Sequence, residues 1–432
     1  MVAGLRAGQP PKAKIGLALA GGGPLGAIYE IGALCALEDS LHGLELTQLD
    51  HYVGVSAGGF IAAGLANGIT PRTLCSLFIQ SDDPKPLGGD TSAESFDPTL
   101  LMEPATGEIA RRAIMLPGLL VSAWWRLLVE RKPIMNVLER LGAALPTGVF
   151  SNRLIDLQLA KLFSAPGRTN DFRQLKAKLT LVATNLDNAE SVAFGRPGWD
   201  HVPISQAVQA SAALPGLFPP VEIDDHYFVD GALKKTMHAS VAMDDGVDLM
   251  LCLNPLVPFD ATAPTTPKVM RRGLAKPLQG IPRIVDGGLP AVLSQTFRAM
   301  INSRMEMGMK AYQSTYPNTD LILIEPDHRD PTLFLVNTFS YAQRRELAEH
   351  AYQTTRQMLR SRQTGISAKL ARHGIRLNHA ALNDPKAFLI KPLPAPTRVG
   401  RSIASLQEIM DDLGDVVSNG QNRGPLRGVL AG

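Results

Sequence analysis

Residues 14–26, KIGLALAGGGPLG, join a short apolar run to a glycine-rich turn, and the fold can be worked out from this stretch. An apolar run of this length bounded by glycines, Lys14 to Ala20, is typical of a buried parallel strand. From Leu25 to Glu38, apolar residues recur at helical spacing, which predicts a helix. Residues 51–67, HYVGVSAGGFIAAGLAN, repeat the order of strand, tight turn and helix. Two such units predict an α/β fold, a mostly parallel sheet sandwiched by helices.

The rest of the chain divides by composition. Residues 1–13 are rich in glycine, proline and lysine and are predicted to be a flexible lead-in to an α/β domain at 14–325. A helical, apolar and basic insertion is predicted within that domain at about 81–150. Residues 326–413 are predicted to form a helical C-terminal region, and residues 414–432, rich in Gly, Asn and Arg, a disordered tail.

Composition argues against several classes of function. The formal net charge of +3 is close to balance and does not suggest binding to nucleic acid. Cys35, Cys75 and Cys252 are far apart in apolar surroundings, which is typical of buried thiols and not of a metal site or a disulfide framework. No apolar run reaches the roughly 18 residues of a membrane span, and no signal peptide is apparent. A cytoplasmic location is expected, with peripheral membrane contact left open.

The pentapeptide Gly54-Val55-Ser56-Ala57-Gly58 matches G-x-S-x-G and lies between a predicted strand and a predicted helix. This is the context of a nucleophile elbow, in which glycines permit the cramped turn. The serine hydroxyl then stands at a helix N-terminus, where free N–H groups and the helix dipole favour negative charge. Ser56 is therefore the predicted nucleophile.

The glycine loop that follows the first strand has two possible uses. Gly21 to Gly26 matches G-x-G-x-x-G, so a dinucleotide cradle must be weighed. Such a site also needs an acidic residue at the end of the second strand, and this chain has Gly54-Val55-Ser56 there. The alternative is an oxyanion hole, in which glycine N–H groups bind the oxygen of a tetrahedral intermediate. The neighbouring serine favours the oxyanion hole.

A serine nucleophile needs a base within hydrogen-bond reach, and Asp230 is the candidate. It follows a predicted strand, Tyr227 to Val229, at the strand end where α/β active sites gather. An Asp-Gly pair by itself is usually only a turn. His328 offers an alternative, since Ser56, Asp230 and His328 stand in the order of an α/β-hydrolase triad. However, only residues 1–55 precede the serine, too few for the strands which that fold places ahead of its elbow.

Together these motifs resemble the patatin-like phospholipase family. That family is marked by a glycine-rich oxyanion loop after the first strand, by G-x-S-x-G on the next strand-turn-helix, and by a distant Asp-Gly-Gly or Asp-Gly-Ala. Residues 209–220, QASAALPGLFPP, look like the family block Ala-Ser-x-x-x-Pro-x-x-Phe-Pro-Pro that precedes the aspartate. The resemblance covers roughly Lys14 to Leu253.

The resemblance implies a catalytic dyad of Ser56 and Asp230, which cleaves ester bonds in phospholipids or acyl glycerols without a metal or other cofactor. The implied oxyanion hole is Gly21, Gly22 and Gly23. Further motif residues are Gly26, Gly54, Gly58, Gly231 and Ala232, the last standing where glycine is commoner. A non-catalytic lipid- or nucleotide-binding protein is the remaining alternative, although none of the motifs is degraded.

The predicted insertion carries an apolar and basic segment, Ile109 to Gly142, which includes Trp124 and Trp125. Apolar residues and tryptophans flanked by cations suit a helix that lies in a membrane interface and is drawn to anionic headgroups. A cap over the active site, apolar because it packs against protein, explains the same pattern. Both hypotheses remain open at the level of the sequence.

Overall fold

The computed structural model describes residues 13–79, 104–128, 146–262, 283–335 and 341–390. The strands are β1 (Ile15–Leu19), β2 (Leu41–His42), β3 (His51–Val55), β4 (Lys178–Asn185), β5 (Ser191–Phe194), β6 (Val221–Ile223), β7 (His226–Asp230), β8 (Leu249–Leu253), β9 (Asp320–Ile324) and β10 (Arg376–Leu377). The helices are α1 (Gly23–Ser40), α2 (Ala57–Ala66), α3 (Pro71–Ile79), α4 (Thr106–Leu128), α5 (Arg153–Phe163), α6 (Ile204–Ser211), α7 (Ser240–Asp244), α8 (Gly288–Thr315), α9 (Thr332–Leu335), α10 (Tyr341–Ser361), α11 (Gln363–Arg372) and α12 (His379–Asn383).

The main sheet is mixed, with strand order β6-β7-β4-β3-β1-β8-β9 and β5 paired to β4. Its centre and one side, from β4 to β9, are parallel, whereas β5, β6 and β7 pair antiparallel. All residues of β1, β3 and β8 are buried, so both faces of the centre are covered, as parallel strands require. The predicted α/β fold with a mostly parallel sheet is confirmed.

Most predicted elements occur with shifts of one to three residues at their ends. One difference concerns the Pro/Gly-rich segment 261–290, for which the sequence predicts irregular structure. Helix α8 already begins at Gly288, since Pro290 falls in the first helical turn, where a missing N–H costs no hydrogen bond. The short strands β2 and β10 pair with each other and are too brief for periodicity to reveal.

Several predictions concern residues that the structure does not describe. The predicted tail and nearly all of the predicted lead-in lie outside the described residues, as do residues 81–103 and 129–145 of the predicted insertion. The elements above belong to one compact unit that ends at Leu389. The domain boundaries stay predictions.

The register of the sheet sets the position of the site. Val55 pairs with Val182 on one side of β4, and Asp230 pairs with Ala183 on its other side. The residue that follows Val55 and the aspartate therefore lie at the same level across β4. Asp230 does end a strand, as predicted, but β7 is antiparallel to β4, so the expected reason was wrong. β7 starts at the edge of the sheet where the parallel strands end, and it runs back into the sheet for only a few residues. Asp230, its last residue, therefore still lies near that edge, which a parallel strand would reach at its own C-terminal end.

Candidate active site

Ser56 lies in the sharp turn between β3 and α2 and is 7% exposed. Its backbone has φ 55° and ψ −126°, a left-handed conformation that is costly for a residue with a side chain. A Cβ on Gly58 would lie 2.6 Å from the Ala20 oxygen, and one on Gly54 would lie 2.5 Å from the Gly59 Cα. Because both obstacles are backbone atoms, the turn requires glycine on either side of the serine.

The backbone of Ser56 is held by a residue from another helix. The Ser56 N–H donates to Ser211 Oγ over 2.9 Å, and the Ser211 hydroxyl donates to the Val182 oxygen over 2.6 Å. The N–H of the nucleophile is therefore already occupied. An oxyanion that forms beside Ser56 has to be bound by N–H groups from elsewhere.

The glycine loop lies against the serine. A Cβ on Gly21 would come within 3.1 Å of both Ser56 Cβ and Ala232 Cβ, so the loop approaches the nucleophile closely. Helix α1 begins at Gly23, and the first N–H groups of a helix have no carbonyl partner within it. At the start of this helix, the Gly22 carbonyl accepts a hydrogen bond from the Gly26 N–H over 3.0 Å. The loop and the N-terminus of α1 therefore lie beside Ser56.

Asp230 is 2% exposed and is held through its backbone and its side chain. Its N–H donates to the Ala213 oxygen over 3.0 Å, and the Thr184 hydroxyl donates to its carbonyl over 3.2 Å. The Ala232 N–H donates to its Oδ1 over 2.8 Å. The Ser56 hydroxyl lies near enough to the carboxyl group to lower its pKa as a hydrogen-bond donor. The structure therefore places the predicted nucleophile and the predicted base near each other.

The environment of Asp230 changes its acidity. Burial raises the pKa of its carboxyl group to about 6, although the hydrogen bonds from Ser56 and Ala232 act in the opposite direction. A carboxylate with a pKa near the working pH is a more effective proton acceptor than an ordinary aspartate.

The residues after Asp230 explain the Asp-Gly-Ala motif. A Cβ on Gly231 would lie 2.2 Å from the Val182 oxygen, so this position needs glycine. Ala232 lies in the 3₁₀ turn Gly231–Leu233 and does not have a positive φ. The alanine that replaces the commoner glycine is therefore accommodated without backbone strain.

The contacts of His328 involve residues other than Ser56 and Asp230. It lines a cavity of about 270 Å³ together with Asn302, Glu306 and Lys310 of α8. Its carbonyl accepts the Asp260 N–H over 2.7 Å. Within the described ranges, no hydrogen bond or ion pair joins its side chain to Ser56 or Asp230.

Backbone hydrogen bonds hold the N-terminal end of helix α4 close to the segment that precedes Asp230. The Ala105 N–H donates to the Val149 oxygen, and the Phe150 N–H donates to the Leu217 oxygen, both over 2.9 Å. Leu217 belongs to the block 209–220, which leads into the strands before Asp230. The start of α4 is thus tied to the segment that positions the aspartate.

The outer part of α4 exposes apolar side chains. Ile114, Val121 and Trp125 lie on one helical face and are 80%, 71% and 61% exposed, and Trp124 is 63% exposed. Among the residues that the structure describes, this face is open to solvent, and both hypotheses for the segment stay predictions. Across the described ranges, no helix is long and apolar enough to span a bilayer.

The family model for patatin-like phospholipases matches residues 17–243, more than half of the chain. The fold and the arrangement of serine, aspartate and glycine loop agree with this match. The protein belongs to the patatin-like phospholipase family.

Three solved structures are among those that this chain matches. VipD from Legionella pneumophila is 18% identical, with a TM-score of 0.36, over 82% of this chain and 67% of that one. The type III effector ExoU is 17% identical, with a TM-score of 0.34, over 82% of this chain and 53% of that one. ExoU in complex with SpcU from Pseudomonas aeruginosa is matched at 18% identity and a TM-score of 0.23, over 69% of this chain and 53% of that one. The chain therefore spans about half the length of ExoU.

The sequence did not identify the residues that hold the backbones of Ser56 and Asp230. Ser211 and Ala213 were noticed only as part of the family block, and Thr184 was not singled out. The Ser211 contact joins residues 155 positions apart, and the Thr184 contact depends on the pairing of β7 with β4. The block itself was the available signal, but its contacts could not be deduced from it.

Proposed function

We propose that the protein hydrolyses carboxylic ester bonds of phospholipids or acyl glycerols, with Ser56 as the nucleophile and Asp230 as its base. The observations that carry the proposal are the sheet register, which places Ser56 and the buried Asp230 at the same level across β4, and the close approach of Gly21 to Ser56 and Ala232.

In the first step, Ser56 Oγ attacks the carbonyl carbon of the ester while Asp230 takes the hydroxyl proton. The carbonyl oxygen becomes an oxyanion, which the N–H groups of Gly21, Gly22 and Gly23 bind. Collapse of this intermediate breaks the ester bond. The alcohol leaves with the proton held by Asp230, and the acyl group remains on Ser56.

In the second step, water attacks the acyl-enzyme and Asp230 accepts a proton from it. A second tetrahedral intermediate forms in the same oxyanion hole. Its collapse releases the fatty acid and returns the proton to Ser56. One carboxyl group thus serves both half-reactions, which suits a pKa of about 6.

Contact with the lipid surface is assigned to the segment Ile109 to Gly142, of which residues 109–128 are described. The exposed face of α4 offers two tryptophans and several aliphatic side chains to a bilayer interface. Arg111 and Arg112, on the same helix, suit anionic headgroups. Because the N-terminal end of α4 is hydrogen-bonded through residues 149–150 to the block 209–220, this surface would stay near the site.

The test is hydrolysis of p-nitrophenyl butyrate and of mixed phospholipid vesicles by the wild type, Ser56→Ala, Asp230→Asn and His328→Ala. The first two variants should lose more than about 10³-fold in kcat, because a missing nucleophile or base removes the whole reaction path. His328→Ala should remain within about twofold of the wild type on both substrates. Circular dichroism confirms that each variant is folded.

Two results would count against the proposal. An inactive but folded His328→Ala would restore the triad hypothesis. A wild type that binds vesicles yet cleaves neither substrate would favour a lipid-binding protein.

A further inference from the structure

Ser211 is the last residue of α6 and is fully buried, with 0% of its surface exposed. Its hydroxyl both accepts and donates. It accepts the Ser56 N–H over 2.9 Å and donates to the Val182 oxygen over 2.6 Å. This single hydroxyl therefore connects the nucleophile turn to the strand that separates Ser56 from Asp230.

The bond matters because of the conformation of Ser56. A serine with φ 55° is held in a sparsely populated region, and such a conformation persists only where the surroundings over-determine it. The direction of the Ser56 N–H is part of that conformation. An acceptor fixed at one point in space therefore selects the left-handed turn over its relaxed alternatives.

The end of α6 also holds the base. Two residues after Ser211, the Ala213 carbonyl accepts the N–H of Asp230 over 3.0 Å. The same short segment thus sets the backbone of both residues. A shift of the Ser56 backbone relative to Asp230 would move the serine hydroxyl away from the carboxyl group.

We propose that Ser211 is a positioning residue, whose hydroxyl holds the Ser56 backbone so that Oγ faces both Asp230 and the glycine loop. The inference rests on the proposed function, since it assigns Ser211 a part in the reaction of Ser56. Through Ser56, the hydroxyl of Ser211 acts on the chemical step and not on substrate binding. Its loss therefore lowers kcat and leaves KM nearly unchanged.

A matched serine on the same helix serves as the control that distinguishes a positioning role of Ser211 from a purely structural one. Ser205 is 1% exposed, and its hydroxyl accepts from Asn170 Nδ2 over 3.0 Å, away from the nucleophile turn. Ser205→Ala removes a buried hydroxyl of the same size from the same helix. It is the control for the general effect of such a loss on folding.

The experiment compares Ser211→Ala, Ser211→Cys, Ser211→Thr and Ser205→Ala in kinetics with p-nitrophenyl butyrate. Ser211→Ala and Ser211→Cys should lower kcat about 10- to 100-fold, with KM within about threefold, because small displacements of a reacting group cost this much. The cysteine keeps the volume but forms only weak hydrogen bonds. Ser211→Thr keeps the hydroxyl and should stay within about threefold of the wild type. Ser205→Ala should stay within about twofold.

Hydrogen exchange at the Ser56 amide, followed by mass spectrometry, gives a readout that needs neither turnover nor the threonine variant. The amide should exchange at least about tenfold faster in Ser211→Ala than in Ser205→Ala, because only the first variant loses its acceptor. Equal kcat values in Ser211→Ala and Ser205→Ala, or equal exchange rates, would overturn the role of Ser211. An inactive wild type would defeat the proposed function instead, and the exchange rates would still decide whether Ser211 holds the turn.

Discussion

The nucleophile turn and helix α4 are built in opposite ways. Ser56 and Asp230 are almost fully buried. The Ser56 N–H donates to Ser211 of α6, and Asp230 accepts hydrogen bonds from β4 and from the turn after β7. Helix α4 is joined at its base by backbone bonds, and its outer apolar face is open to solvent. Chemistry needs atoms held within fractions of an ångström, whereas contact with a fluid lipid surface needs only apolar area. Changes at the turn should therefore affect every ester, and changes on α4 should affect lipid aggregates only.

The largest expected effect is that of Gly58→Ala. Its new Cβ would stand 2.6 Å from the Ala20 oxygen, so the turn or the glycine loop has to shift. We expect kcat to fall more than about 100-fold on both p-nitrophenyl butyrate and vesicles. Gly118→Ala, the same substitution on α4, has no atom within 4 Å of the new Cβ and should leave kcat unchanged. Similar activity in both variants would show that the turn tolerates displacement and would break the comparison.

The next effect concerns the exposed face of α4. Replacing Ile114, Val121 and Trp125 together by serine removes apolar area that would otherwise enter a bilayer. Hydrolysis of anionic phospholipid vesicles should fall at least about tenfold, while cleavage of p-nitrophenyl butyrate stays the same. Phe388→Ser, which removes a 43% exposed aromatic side chain outside α4, is the control. Equal losses on both substrates would return α4 to the role of a cap.

The pH dependence of kcat/KM should reflect Asp230 beside the nucleophile turn and not helix α4. With the pKa of Asp230 at about 6, protonation removes the base as pH falls through 6, so kcat/KM should drop about tenfold per pH unit below that value. Burial lowers the pKa values of His51 and His238 to about 4, which keeps their titration below this window. Vesicle binding by Ser56→Ala over the same pH range separates loss of chemistry from loss of membrane contact. A flat profile between pH 5 and 7 would contradict Asp230 as the base.

The smallest effect is on stability. Because the pKa of Asp230 is raised from 3.8 to about 6, the folded state favours the neutral acid, and this contribution is lost as pH rises through about 6. Asp230→Asn should therefore increase the free energy of unfolding by about 1–3 kcal/mol above pH 6, and the gain should vanish below about pH 4. Urea unfolding at pH 7.5 and pH 4 measures it.

The control for this variant is Asp225→Asn, an exposed residue with φ 60°, where asparagine is equally well tolerated. It should change the unfolding free energy little at either pH. A less stable Asp230→Asn at pH 7.5 would mean that the carboxylate is better solvated than its burial indicates.

Some residues of the site could be predicted because their signals are local. Ser56 is surrounded within five residues by the glycines that its turn needs, and the glycine loop directly follows its strand. Asp230 was found from its Asp-Gly motif and its position after a strand, although β7 proved to be antiparallel. The direction of β7 depends on its pairing with β4, and nothing in residues 226–230 encodes that partner.

The amino-acid order determined the α/β fold, the position of the nucleophile turn and the candidate base, because strand, glycine turn and helix are specified by neighbouring residues. Only the tertiary structure decided which groups hold the site together. The Ser211 hydroxyl, the Ala213 carbonyl and the Thr184 hydroxyl act across separate segments, and hydrogen bonds between such segments exist only once the sheet has assembled. The same holds for α4, whose apolar residues suit both a cap and a membrane contact, and whose exposure only packing can settle.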